Sequence, residues 1–353
     1  MRRSAEALID FDALRHNFQR VKQFAPNSKV MAVIKADAYG HGMLMCAKAL
    51  SMADGFAVAH IDEAIVLREA GIQQPITVFQ GFQNSSQLMQ LQANNLRPVI
   101  YQSWQLDMLE QQPLSDLSVW LKVNTGMNRL GVSVQQAADL YQRLTKIKAI
   151  KQTGLSSHFA NADVPEHPSN QQQMDVFHQL AKQISGQTSL ANSAGLIAFP
   201  QSQGDWVRPG IMLYGSSPLQ NKTAAELDLK PVMQLHAPLI AINKLKQGDA
   251  IGYGSLWQCP EDMPVGVVAI GYGDGYPRHA LTGTPISIND QMSQILGRVS
   301  MDTISIDLRG IEAQCGDRAE LWGKSVSVDE VAKSSETISY ELLCNTAGCR
   351  VES

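Results

Sequence analysis

The chain has 353 residues, more than one ordinary small domain holds, so two domains are expected. Hydrophobic content of 44%, charged content of 18% and a net charge of −4, with no basic run interleaved with aromatics, describe a soluble globular protein and exclude nucleic acid as an expected partner. No stretch is long and apolar enough to span a bilayer and residues 1–6 have no apolar signal core. The five cysteines are scattered, without a C-x-x-C pair or a metal-ligand cluster, so the expectation is a cytoplasmic protein with no metal and no membrane partner.

Residues 5–9 read as a short apolar strand. Residues 12–24 read as a helix with Leu14, Phe18 and Val21 on one face and Asp10 or Asp12 as its cap. Strands and helices then alternate. The predicted strands are 30–34, 55–58, 76–79, 97–101, 118–123, 154–158, 189–192 and 205–208; the predicted helices between them are 43–50, 62–70, 85–94, 103–111, 133–146 and 169–184. This α/β order points to a parallel (β/α)8 TIM-like barrel, with an open doubly wound sheet as the alternative. After Gly215 the texture changes. Residues 221–229 are polar and read as a connecting loop or a short helix. Beyond them short β runs dominate: 235–242, 265–270, 286–288, 294–299, 303–307 and 318–321, with one helix at 328–333 capped by Ser327. The expected units are a barrel at 1–228 and a mostly β C-terminal domain at 229–353, with the 5–9 strand a candidate to pack with the latter.

The chemistry gathers at predicted strand ends. Lys35 directly follows an apolar strand, an uncommon placement because a buried unpaired ammonium is costly. Behind it Tyr39-Gly-His-Gly42 reads as a turn. Lys122, His158, Asn192 with Ser193, and Arg208 end four more strands, and a barrel would bring them together on its carboxyl face. Ser193 and the backbone at Gly210 and Ile211 follow the last two strands, where barrels commonly bind phosphate. A lysine and a phosphate nest on one face suggest a phosphorylated aldehyde held as a Schiff base, with pyridoxal phosphate the obvious candidate. Each residue taken alone has an ordinary structural alternative. Lys35 reads as a snorkelling lysine, His158 as a satisfied histidine, Arg208 as a surface ion pair, Tyr253 as a packing residue, and Tyr340 as part of an amphipathic strand or an interface.

Several segments, in order, carry a resemblance. Val33-Ile-Lys-Ala-Asp-Ala-Tyr-Gly-His-Gly42 resembles the pyridoxal-phosphate attachment motif of bacterial alanine racemases. Lys122-Val-Asn-Thr-Gly-Met-Asn-Arg-Leu-Gly131, His158-Phe-Ala-Asn-Ala-Asp163, Ala191-Asn-Ser-Ala194 and Val207-Arg-Pro-Gly-Ile211 are similar to further motifs of that family. Gly252-Tyr-Gly-Ser-Leu-Trp257, Ile270-Gly-Tyr-Gly-Asp-Gly-Tyr276 and Gly297-Arg-Val-Ser-Met-Asp302 complete the set. The resemblance covers nearly the whole chain and favours the barrel.

It implies a homodimeric racemase that interconverts L-alanine and D-alanine and supplies D-alanine for peptidoglycan. Lys35 would hold the cofactor and act as one base; Tyr253, contributed by the second subunit, would act on the opposite face. Arg208 would face the pyridine nitrogen and, being cationic, disfavour a proton there, which weakens the electron sink and favours quick reprotonation. His158 would lie near the ring and link Arg208 to Tyr253. Tyr39, Asn192, Ser193, Tyr340 and the backbone of Gly210 and Ile211 would bind the cofactor, mainly at its phosphate. Arg129 and the backbone of Met301, the latter also across the interface, would engage the substrate carboxylate. Tyr272 and Tyr340 would narrow the entrance, and a carbamylated Lys122 would orient Arg129. Asn124 stands where the family usually has Asp, and the 345–353 end is short and atypical. The competing readings are a broad-spectrum racemase, whose kind is typically exported, a related decarboxylase, which calls for an acidic residue beside the ring nitrogen, and a non-enzymatic pyridoxal-phosphate carrier, which is usually the barrel alone.

Overall fold

The computed structural model describes residues 4–348 and 350–352, so Cys349 lies outside the described residues. Strand β1 (Glu6–Ile9) leads into the helix Phe11–Phe24. Of the two expected caps it is Asp10 that accepts from the backbone N–H groups of Asp12 and Ala13, each at 2.9 Å. Leu14, Phe18 and Val21 are buried as their spacing requires.

Eight parallel strands follow: β2 (Lys29–Val33), β3 (Gly55–Val58), β4 (Ile76–Val78), β5 (Leu96–Ile100), β6 (Leu117–Lys122), β7 (Ile150–Ser156), β8 (Gln187–Ser189) and β9 (Trp206–Val207). They pair in chain order from β2 to β8, and β9 pairs with β2 at Lys29↔Trp206 and Val30↔Val207. A parallel bridge between Asn192 and Arg208, just past β8 and β9, nearly closes the ring. The sheet is therefore a barrel and not an open doubly wound sheet. Its strands are covered on both faces, which is why β3 and β4 are buried at every position and read as continuous apolar runs.

The second sheet contains β10 (Met233–Leu245), β13 (Met263–Val268), β14 (Pro285–Ile288), β15 (Gln291–Leu296), β16 (Ile304–Asp307), β17 (Arg318–Trp322) and β18 (Arg350–Glu352). The short hairpin β11 (Ala250–Ile251) and β12 (Trp257–Gln258) lies beside it. β10 pairs with β1 and β17 along its first half and, past an irregularity between Leu239 and Ala241, with β13 along its second. β10, β13, β16, β15, β14 and β17 thus form a closed antiparallel ring. β1 joins the outside of β10, as its sequence suggested, and β18 adds to β1 in parallel.

Residues 221–229 form turns, the loop of the two expected alternatives. Other local features depart from the sequence reading. The helices Ser193–Ala198 and Ser339–Cys344 and the β11–β12 hairpin were not expected; all are too short to show a period. Tyr340 accordingly sits on a helix, not on an amphipathic strand. The turn behind Lys35 is a left-handed helical turn that begins at Ala36, well before the glycines.

Candidate active site

The site begins where β2 ends. Ala36, Asp37, Ala38 and Tyr39 have φ of 52°, 51°, 55° and 54°. Left-handed backbone costs a non-glycine residue about 1–2 kcal/mol, so this turn stores several kcal/mol and persists only because its surroundings fix it. Glu63 receives the Ala36 N–H at 2.7 Å, and Asp37 receives that of Met43 at 2.7 Å. Gly40, at φ 80°, has no room for a side chain: a Cβ there would lie 2.2 Å from the Leu343 carbonyl oxygen. The turn therefore rests on the helix Ser339–Cys344, and Tyr39 and Tyr340 meet with ring centroids 5.9 Å apart.

Lys35, Tyr39, Lys122, Arg129, His158, Asn192, Ser193, Arg208, Gly210, Ile211 and Tyr340 all line one cavity of about 480 Å³ at the carboxyl ends of the barrel strands. Lys35, Lys122, Arg129 and Arg208 are cationic side chains, and among the described residues no carboxylate lines the cavity. The consequence is electrostatic. Burial, then the neighbouring Arg129, pulls the Lys35 ammonium below its ordinary value. Burial, followed by Arg208, Arg129 and Lys35, brings Lys122 down to about 8. Burial and the same cations hold His158 well below the usual imidazole range, so it is neutral. The cavity is built for an anion and presents amines that give up their protons easily.

Arg208 is held by its surroundings. Its guanidinium donates to the Ser189 carbonyl (2.8 Å) and hydroxyl (2.5 Å), the Ser157 carbonyl (2.5 Å) and the Leu190 carbonyl (3.2 Å). Burial lowers it to about 10, which leaves it a cation at neutral pH. At the other wall Gly210 N–H donates to Ser193 Oγ at 2.8 Å, and a Cβ on Gly210 would lie 2.6 Å from Tyr39 Oη. Only glycine lets that hydroxyl reach the backbone there. Burial pushes Tyr39 and Tyr340 far up, so both keep their protons and remain donors. Asn192 caps the Ser193–Ala198 helix through Gly195 N–H at 2.8 Å.

The donor set suits an organic phosphate: Tyr39, Ser193 and Tyr340 hydroxyls lie beside glycine backbone, with a lysine and an arginine facing the same space. It also suits the pyridoxal phosphate that the cavity's lysine would anchor.

Three expected residues are not brought to this cavity. Tyr253, Met301 and Tyr272 are 69%, 53% and 38% exposed on the β domain. Tyr253 lies in the turn between β11 and β12, whose anchor is the small cluster of Ile251, Cys259, Met263, Val265 and Leu296. Tyr272 and Met301 are backbone neighbours, since Tyr272 N–H donates to Ser300 O and Gly273 N–H to Met301 O.

The loop after β6 is well tied despite its asparagine. Asn124 Oδ1 accepts from Gly126 N–H (3.1 Å) and Asn128 N–H (3.0 Å), and its Nδ2 donates to Asn128 Oδ1 (2.9 Å). One supporting residue had no signal in the sequence. Gln173 is buried on the helix Ser169–Ala181; it accepts from Ala160 N–H and donates to Thr125 Oγ1 and to the His158 carbonyl. It joins the Arg129 loop to the end of β7. Ser189, the anchor of Arg208, was likewise read only as strand.

Residues 9–218 match the family described as alanine racemase, N-terminal domain, and residues 232–353 match alanine racemase, C-terminal domain. An alanine racemase of Coxiella burnetii (strain RSA 493 / Nine Mile phase I) is 47% identical over 348 residues, covering 96% of each chain. The biosynthetic alanine racemase of Pseudomonas aeruginosa superposes with a TM-score of 0.96 at 40% identity, over 100% of this chain and 99% of that one. The alanine racemase of Bartonella henselae, solved with covalently bound pyridoxal phosphate, superposes with a TM-score of 0.88 at 27% identity, over 99% of both chains.

Proposed function

The chain belongs to the alanine racemase family, and we propose on that premise that it interconverts L-alanine and D-alanine with pyridoxal phosphate held on Lys35. The observation that carries the reading is the basic cavity, lined by no carboxylate among the described residues, with a lysine lowered from its ordinary pKa just past its first barrel strand. Bound pyridoxal phosphate supplies the electron sink that makes the amino acid's α-proton acidic. The chain's own residues do the rest. The Lys35 amine, depressed by burial and Arg129, is the base on one face. Tyr253 of the partner subunit is the base on the other, in a homodimer that also contributes Met301 of the partner subunit. The exposure of Tyr253 and Met301 supports this reading, because neither serves the cavity of its own chain.

Tyr39, Ser193, Tyr340 and the backbone of Gly210 and Ile211 hold the phosphate, with Asn192 fixing the Ser193 helix. Arg208 faces the ring nitrogen and keeps a proton off it, which argues against the decarboxylase reading. His158 passes its hydrogen bond from Arg208 toward Tyr253. Arg129 receives the substrate carboxylate, Tyr272 and Tyr340 limit side-chain size, and a carbamate on Lys122 orients Arg129. The units we assign are residues 1–228 and 229–353; Tyr340 reaches the cavity from the second. Among the described residues no helix is long and apolar enough to cross a membrane. The compartment we assign is the cytoplasm, supported by the free thiols of Cys46, Cys259, Cys315 and Cys344. The product would feed peptidoglycan synthesis.

The test is racemisation by the purified protein of L-alanine beside L-serine, L-lysine and L-arginine, with Lys35→Ala as control. Selective D-alanine formation is expected. Equal turnover of the basic amino acids would move the assignment to a broad-spectrum racemase, and a cofactor absorbance band without any turnover would leave a carrier.

A further inference from the structure

The functional reading gives His41 no task, yet the turn that carries Tyr39 is built around it. The imidazole is buried, and its Nδ1 lies 3.0 Å from the Ala38 carbonyl oxygen and 2.9 Å from that of Tyr39. Both partners are acceptors only, so Nδ1 carries the proton and donates to both. Nε2 is also buried and has no hydrogen-bond partner among the described residues. Everything else about the ring is fixed. It packs on Tyr214 with centroids 4.6 Å apart, and Tyr214 packs in turn on Tyr39 at 4.7 Å. Tyr214 Oη donates to the Val33 carbonyl at the end of β2, 2.9 Å away, and Cys46 Sγ donates to the His41 carbonyl at 3.6 Å.

The two carbonyls that His41 binds belong to the left-handed turn, at residues with φ of 55° and 54°. Backbone N–H groups satisfy part of the turn: His41 N–H donates to the Ala38 carbonyl (3.1 Å) and Gly42 N–H to the Asp37 carbonyl (3.0 Å). The imidazole adds a second donor to Ala38 and supplies the donor to Tyr39, the last left-handed residue. Lys35 stands two residues past β2, directly before the left-handed run, and the last residue of that run is Tyr39; both line the cavity. Relaxation of the turn toward right-handed backbone would therefore move the amine and the hydroxyl relative to one another.

We propose that His41 is a positioning residue for the cofactor: its Nδ1–H clamps the Ala38 and Tyr39 carbonyls, holds the left-handed turn, and so sets the spacing between the Lys35 amine and the Tyr39 hydroxyl. The proposal rests on the reading in which Lys35 anchors the cofactor and Tyr39 binds its phosphate. It separates the two ring nitrogens. Nδ1 does the positioning, whereas Nε2 does none.

The test uses that asymmetry. An asparagine amide places its N–H₂ where Nδ1 stands, and a glutamine amide reaches instead toward Nε2. His41→Asn and His41→Gln are prepared with the parent chain, stripped of cofactor and titrated with pyridoxal phosphate. The readouts are the dissociation constant, the absorbance band of the Lys35-linked cofactor and the melting temperature of the cofactor-free form. His41→Asn is expected to bind within about threefold of the parent, and His41→Gln about tenfold or more weakly, with a shifted band. His41→Gln also loses the clamp in the cofactor-free form and is expected to melt below His41→Asn, so both titrations are run well below either melting temperature, where the variants are fully folded. Equal affinities for the two folded variants, or a weaker His41→Gln whose cofactor band is unshifted, would overturn the proposal. Failure of the underlying reading looks different: the parent would form no band, or Lys35→Ala would form one.

Discussion

Arg208 Nη2 lies 3.4 Å from His158 Nδ1. A guanidinium can only donate, so the imidazole accepts at Nδ1 and carries its proton on Nε2. The neutral histidine, which lines the cavity, thus has one defined tautomer, imposed from the barrel side, with its proton on Nε2.

Arg208→Lys tests how far this depends on the planar fork. A lysine cannot serve the Ser189, Leu190 and Ser157 carbonyls and His158 at once, so buried acceptors lose their partners. Thermal unfolding of the cofactor-free form should show a loss of ~2–4 kcal/mol. Turnover should fall about a hundredfold, since the charge is no longer held at one place. A variant that melts like the parent would mean that the carbonyl contacts add nothing to stability.

Lys122 carries a pH signature. Its folded pKa, about 8, lies below the ordinary lysine value of 10.5, because burial and three cations disfavour the charge. The unfolded chain therefore binds more protons between these two values, and stability should rise with pH across that window. Below pH 8 the penalty is fully present. Lys122→Met removes it and should stabilise the cofactor-free form at neutral pH by on the order of 2 kcal/mol while lowering turnover. A neutral amine is also the form that attacks carbon dioxide, losing a proton as the carbamate N–C bond forms. Carbon-13 bicarbonate should give a carbamate resonance that grows as pH rises toward 8 and is missing in Lys122→Met; a free amine under bicarbonate would remove the carbamate from the proposed site.

How much of this was legible in the sequence depended on whether a feature leaves a pattern along the chain. The barrel strands did, because a buried parallel strand such as Gly55–Val58 is a continuous apolar run. The ends of those strands then located Lys35, Lys122, His158 and Arg208 without further information. The left-handed turn was not legible, since Ala36-Asp-Ala38 has no glycine and would ordinarily be right-handed; Glu63, His41 and Tyr214, distant or unremarked in the chain, override that preference. Gln173 was invisible for a related reason. Its helical spacing marks a buried face, but nothing in the spacing says that the buried residue holds a loop 48 positions away.

Gln173→Leu makes that point measurable. Leucine fits the buried face but leaves the Ala160 N–H and the His158 carbonyl without their partner, a cost of ~2–3 kcal/mol. The Thr125 loop is also released, and Arg129 lies four residues beyond Thr125 on it. The KM for alanine should therefore rise more than kcat falls. The reverse pattern would place the effect at His158 instead.

Tyr253 supplies the last test, because the proposed function takes it, 69% exposed on its own chain, from a second subunit. Tyr253→Phe removes one proposed base and should cut racemisation by ~10²–10⁴ while leaving the cofactor band intact. Lys35→Ala removes the other proposed base together with the proposed cofactor anchor. Neither variant is active alone. If each site takes Lys35 from one subunit and Tyr253 from the other, a mixed dimer has one site with both lesions and one with none. Unfolding the two variants together and refolding them at equal concentration should give half mixed dimers in a two-fold assembly, and so about a quarter of the parent activity. Site titration by the cofactor band separates this from partial refolding. Activity that stays at the level of the separate variants would place both bases on one chain and require the exposed Tyr253 hairpin to fold back onto its own cavity.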